Sequence, residues 1–261
     1  MVSQADLLLR ILLPALVCVL FCALASRTAE GVARRLVQAL ACALPYLLIA
    51  GCVPLLMPQR SATDLVPLFV LLCVVLATAL KPRGLLWRTT PVVLAAGFLV
   101  SLFSRLGAPP AWSVRALSML AFAAAWAAAR SGDRERPAWR LPLVLGTAAG
   151  AIAFACICGR VASLALIAAG IGACCGASFL VSLRWPKLSF GAPGSDVALL
   201  ALGGTLACAV FLGELSPYAA LALLAALAVS SLSSFPRAFG AQLALTALAV
   251  WLAWPADGFV T

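Results

Sequence analysis

The chain has 261 residues, of which 65% are hydrophobic and only 10% charged, with a net charge of +10 and a mean hydropathy of +1.13. A water-soluble domain averages about 45–50% apolar and about 25% charged, so this composition excludes one. Histidine is absent, which removes the usual general base and the commonest metal ligand. Zinc metalloprotease, serine–histidine intramembrane protease and histidine-ligated haem chemistry go with it. The positive charge does not point to nucleic acid, because the basic residues stand in short connectors rather than along one aromatic-rich face.

Apolar stretches recur about every 25 residues, long enough to be read as membrane-crossing helices. The sequence predicts one integral membrane domain over 1–261, an all-α bundle of about ten spans. The first span, 7–25, follows Asp6 without a small-residue cleavage site and is expected to be retained rather than removed as a signal peptide. Pro14 interrupts it, and Pro45 and Pro54 interrupt the second span, 36–57, either as tolerated kinks or as the broken helices that line transport paths. Asp64 opens the third span, 65–80, as an expected cap. The fourth, 91–104, is short and flanked by Pro91, Pro109 and Pro110, and the fifth covers 111–129.

A basic connector over 130–140 leads to the sixth and seventh spans, 141–158 and 161–183. Gly146/Gly150 and Gly172/Gly176 have the GxxxG spacing that lets helix backbones approach closely, so these two helices are expected to pack together. Gly203 and Gly204 extend the small-residue character into the eighth span, 196–213. The ninth and tenth follow at 217–233, after Glu214 at an interface, and 238–254. With the N-terminus outside, thirteen of the eighteen Lys and Arg residues fall on the cytoplasmic side, an arrangement that ends C-out. Arg10 and Arg115, each within a turn of a helix start, are read as interfacial anchors.

All ten cysteines lie within the expected spans, where cysteine packs as a small apolar residue. Cys156/Cys158 and Cys174–Cys175 are the alternative redox relay, although neither has the CxxC spacing of thiol oxidoreductases. No cofactor-binding or metal-binding signature occurs.

Two acids placed on the cytoplasmic side, Asp133 and Asp196, remain as candidate catalytic residues. The stretch SGDRERPAWRLPLVLG from Ser131 to Gly146 resembles the first aspartate region of type IV prepilin peptidases. GAPGSDVALLALG from Gly191 to Gly203 is similar to the second region, a glycine-rich turn followed by GD and a Leu-rich helix, and FPRAFG from Phe235 to Gly240 resembles the start of the last helix. The resemblance covers roughly 120–254 and implies an aspartic endopeptidase in which Asp133 and Asp196 share one proton, acting on the leader peptides of pilin-like proteins. Ser195 stands where that family has Gly, and Ala198 where it has Lys. Without the pair, Asp133 is a connector charge and Asp196 an N-cap.

Three function classes follow. A permease-like protein with a small solute as substrate is the leading one, its polar path drawn from Thr147, Ser163, Ser178, Thr205, Gln242 and Thr246. The alternatives are the prepilin-peptidase-type enzyme, or an inactive relative, and a membrane scaffold with protein partners whose tryptophans anchor span ends. The expected location is a bacterial-type cytoplasmic (inner) membrane, with the lipid bilayer as the obligatory partner.

Overall fold

In the computed structural model of the chain, residues 4–50, 65–80, 85–131, 137–213, 215–229 and 235–254 are described. Among them there is no strand. They form ten helices: α1 (Gln4–Arg27), α2 (Val32–Ala50), α3 (Leu65–Ala79), α4 (Leu85–Ser104), α5 (Trp112–Ser131), α6 (Arg140–Cys158), α7 (Ala162–Arg184), α8 (Gly191–Phe211), α9 (Pro217–Val229) and α10 (Phe235–Ala253). Five of these, α2, α6, α7, α8 and α10, are long and apolar enough to cross a membrane, and the rest contain shorter apolar helical stretches.

Each expected apolar stretch corresponds to one helix, and the differences lie at the ends. α4 begins at Leu85 and runs through Pro91, which had been expected to start it. Proline costs one i→i−4 bond without ending a helix that is otherwise apolar, as Pro14 and Pro45 do inside α1 and α2. α8 begins at Gly191, five residues before the expected start. Pro193 sits in its first turn, where the missing N–H would have had no partner in the helix. The segments 51–57 and 230–233 of the second and ninth expected spans lie outside the described residues, as do Cys52, Pro54, Asp64, Asp133 and Glu214.

α8 is the axis of the bundle. Its residues are buried without interruption from Pro193 to Ala209, and it packs against α2, α3, α4, α6, α7 and α9. A helix that is apolar on all sides needs either lipid or other helices around it, and here other helices enclose it. Around it, α1 lies against α2 and α7, α4 against α3 and α5, and α10 against α6 and α9.

The expected close pairing of α6 and α7 is present, and it is the most extensive helix pair in the bundle. A Cβ added at Gly146 would lie 3.6 Å from the backbone nitrogen of Gly176, and one added at Gly172 would lie 3.3 Å from Cβ of Ala149. The backbones are therefore in contact at these two glycines.

Helix-end contacts follow one pattern. The Arg35 guanidinium at the start of α2 bonds the carbonyl of Leu80 at the end of α3. Gln38, also near the start of α2, meets the start of α8 at Gly191 and Gly194. Phe103 and Phe211, at the ends of α4 and α8, meet edge-on with ring centroids 4.9 Å apart. Gly159, after α6, meets Leu215, just before α9. Starts of even-numbered helices thus meet ends of odd-numbered ones or each other's starts, and ends of even-numbered helices meet starts of odd-numbered ones or each other's ends.

The outside of the bundle is apolar. Leu12, Leu16, Leu20 and Leu24, spaced four apart on α1, form one exposed stripe. A continuous stripe of this kind marks a surface that does not face water.

Candidate functional site

Between α4, α5, α8 and α9 lies a cavity of about 430 Å³, within the range of about 300–1,000 Å³ typical of small-molecule sites. Leu99, Leu117, Phe122, Leu206 and Leu224 line it, and Ser118 and Tyr218 supply its hydroxyls. Leu117, Tyr218 and Leu221 at its edge are themselves exposed. The wall nearest the axis depends on glycine: a Cβ at Gly203 would stand 1.7 Å from Cε2 of Phe122. The ring therefore rests on the bare backbone of α8, and Trp126, a turn further along α5, packs beside it with ring centroids 5.9 Å apart. So apolar a lining can select a molecule by shape and transfer from lipid, and among the described residues it presents no charged side chain.

The polar residues expected to form a path are only partly brought together. Gln242 on α10 is fully buried, and its Nε2 donates to the carbonyl of Val144 at 2.9 Å and to Oγ1 of Thr147 at 2.8 Å. These bonds fix the amide orientation and leave Oε1 buried without a hydrogen-bond partner among the described residues. Thr246 lies one turn further along α10 and donates to Leu243. Thr205 donates within its own helix to Ala201, Ser163 is exposed in the first turn of α7, and Ser178 is buried on α7 against Cys22. One interhelical polar contact, Gln242 with Thr147, therefore replaces the expected convergence of six residues.

Asp196 is buried, with 2% of its surface exposed, and is the sixth residue of α8. The N-cap expectation is corrected: the cap position is Phe190, which makes no side-chain cap bond, and Asp196 stands more than a turn inside the helix. Gly191, at φ +58°, makes the entry, a conformation that favours glycine. The hydroxyl of Ser195 returns to the carbonyl of Gly191 at 2.7 Å. A Cβ at Gly194 would lie 2.7 Å from the carbonyl oxygen of Gln38, so this turn is pressed onto α2 and not held out as a loop. Asp133, the other acid of the expected pair, lies outside the described residues.

Arg140 is a second correction. Assigned to a connector by the sequence, it is the first residue of α6 and is 6% exposed. Its guanidinium carbon lies 5.1 Å from the ring centroid of Phe235, which also meets Trp139 edge-on at 5.0 Å. The face of Phe235 therefore receives the cation as the chain enters α6. Arg115, in the first turn of α5, donates from Nε to the Pro110 carbonyl at 2.7 Å and holds its guanidinium over the Trp112 ring.

The nine described cysteines are free thiols, all buried. Those that converge are not the ones paired by sequence proximity: Cys18, Cys22 and Cys42 meet Cys174 and Cys175 where α1, α2 and α7 pack together. No spacing rule within one sequence links positions 18, 42 and 174. Neither a protein family, nor a curated protein, nor a solved structure matches the chain, so the functional reading rests on its own residues.

Proposed function

We propose that this chain is a ten-span permease-like protein of a bacterial-type cytoplasmic membrane, N-out and C-out, and that its substrate is a small apolar or amphiphilic molecule taken up sideways from the bilayer. The apolar cavity between α4, α5, α8 and α9 carries this reading. It borders exposed apolar side chains rather than a polar funnel, so transfer from lipid into it exchanges one apolar surrounding for another and needs no dehydration step. The bias of Lys and Arg toward alternate connectors and the exposed leucine stripe of α1 support the membrane topology. The test uses purified protein in liposomes titrated with the lipophilic dye Nile red. Saturable binding above that of protein-free liposomes is expected, weakened at least tenfold by Ala207→Phe, which fills the cavity. Equal binding by the variant, or none above protein-free liposomes, contradicts the reading.

A second reading, the prepilin-peptidase-type enzyme, is favoured by the burial of Asp196 near the start of the central helix. Cleavage of a pilin-type leader peptide that disappears in Asp196→Asn supports it, and absence of cleavage by the wild-type protein removes it.

A further inference from the structure

The junction of α1, α2 and α7 gathers thiols that the proposed cavity does not use. Cys18 and Cys22 stand one turn apart on α1, Cys42 on α2, and Cys174 and Cys175 on α7, each at most 4% exposed. The thiol of Cys18 donates to the carbonyl of Cys174 at 3.6 Å, and the thiol of Cys174 donates back across the interface to the carbonyl of Pro14 at 3.4 Å. Cys18 also lies beside Cys22 and Cys42, close enough for their side chains to interact. Cys18 is therefore the hub of the cluster.

A soft monovalent cation held by two thiolates, or a divalent one held by three, would leave net negative charge in an apolar interior, at high cost. No group of three or more His, Cys, Asp or Glu side chains among the described residues is arranged to hold an ion. A disulfide is neutral and carries no such penalty. Geometry then selects the pair. Residues four apart on a helix have Cβ atoms about 5–6 Å apart, beyond the roughly 3.5–4.5 Å of a disulfide, which excludes Cys18 with Cys22. The interhelical pairs Cys18–Cys174 and Cys18–Cys42 remain.

We propose that Cys18 and Cys174 form an oxidisable intramembrane dithiol, with Cys42 as the alternate partner of Cys18, and that the oxidant is a lipid-soluble quinone. Two S–H bonds break and one S–S bond forms, and two electrons and two protons pass to the quinone, which leaves as the quinol. Attack by the Cys42 sulfur on Cys18 then releases Cys174 as a thiol, with the Cys42 proton passing to Cys174, and moves the bridge from α7 to α2. The cluster is closed to water, and α1 covers it with a stripe of exposed leucines, so an oxidant dissolved in the bilayer reaches this helix first.

The experiment treats the full chain in membrane vesicles with decylubiquinone, then alkylates and maps cysteines by mass spectrometry under denaturing, non-reducing conditions. The expected result is a Cys18–Cys174 bridge in the wild type, a Cys18–Cys42 bridge in Cys174→Ala, and no bridge in Cys18→Ala. Cys18→Ser, which keeps a donor for the Cys174 carbonyl, is expected to lose the bridge with helical circular dichroism unchanged, separating chemistry from folding. A wild type that keeps all its thiols, or a bridge that persists without Cys18, overturns the proposal.

Discussion

Gly203 shows how one residue sets the shape of the proposed site. With a Cβ 1.7 Å from Phe122, Gly203→Ala forces the ring off α8 and into the cavity. Overpacking of this kind costs about 1–3 kcal/mol, so a lower apparent melting temperature in detergent is expected together with weaker Nile red binding. Phe122→Leu, which withdraws the ring, is expected to recover much of the stability when combined with Gly203→Ala; additive losses in the double variant would contradict the contact. The sequence marked Gly203 only as a small residue. Its partner on α5 is 81 positions away, and apolar periodicity holds no record of which distant side chain a glycine receives. Arg140 was assigned to a connector for a related reason: its charge was legible, but the Phe235 ring that its guanidinium lies against reaches it only when α6 and α10 pack.

Helices were the most legible level, because an apolar stretch bounded by charge needs no tertiary information to be recognised. Their ends were less so. Gly-Ala-Pro-Gly before Ser195 has the composition of a turn, yet burial against α2 makes it the first turn of α8, a tertiary override of local preference. The α6–α7 pair was readable from its GxxxG spacings, but not which glycines matter. Gly146 and Gly172 have the opposite backbone within 4 Å of an added Cβ, whereas Gly150 and Gly176 have nothing there. Gly172→Val is accordingly expected to separate the helices and lower the melting temperature sharply, while Gly150→Ala leaves it nearly unchanged or raises it slightly. Equal effects of the two changes would mean that the glycines act through helix propensity alone.

For the whole molecule, the alternation of basic connectors gives an expected orientation, while the helix-end contacts show only which ends lie together, such as the start of α2 with the end of α3. Assembly around α8 was not legible: its sequence reads as one more apolar stretch, and only its enclosure by six other helices distinguishes it. Enclosure predicts an order of local stability, with backbone amides in the middle of α8 exchanging with solvent far more slowly than those of α1, whose outer face is exposed. Hydrogen exchange in detergent that found α8 as labile as α1 would contradict its place at the axis.

The claim on which the functional reading depends is that the chain crosses the bilayer with these connectors on opposite sides. It is tested most directly by single cysteines introduced at Ala108, between α4 and α5, and at Lys187, between α7 and α8, both exposed, and probed in intact cells with a membrane-impermeant maleimide. The account predicts that Ala108→Cys is labelled at once and Lys187→Cys only after the membrane is permeabilised. Labelling of both from outside, or of Lys187→Cys alone, would contradict it.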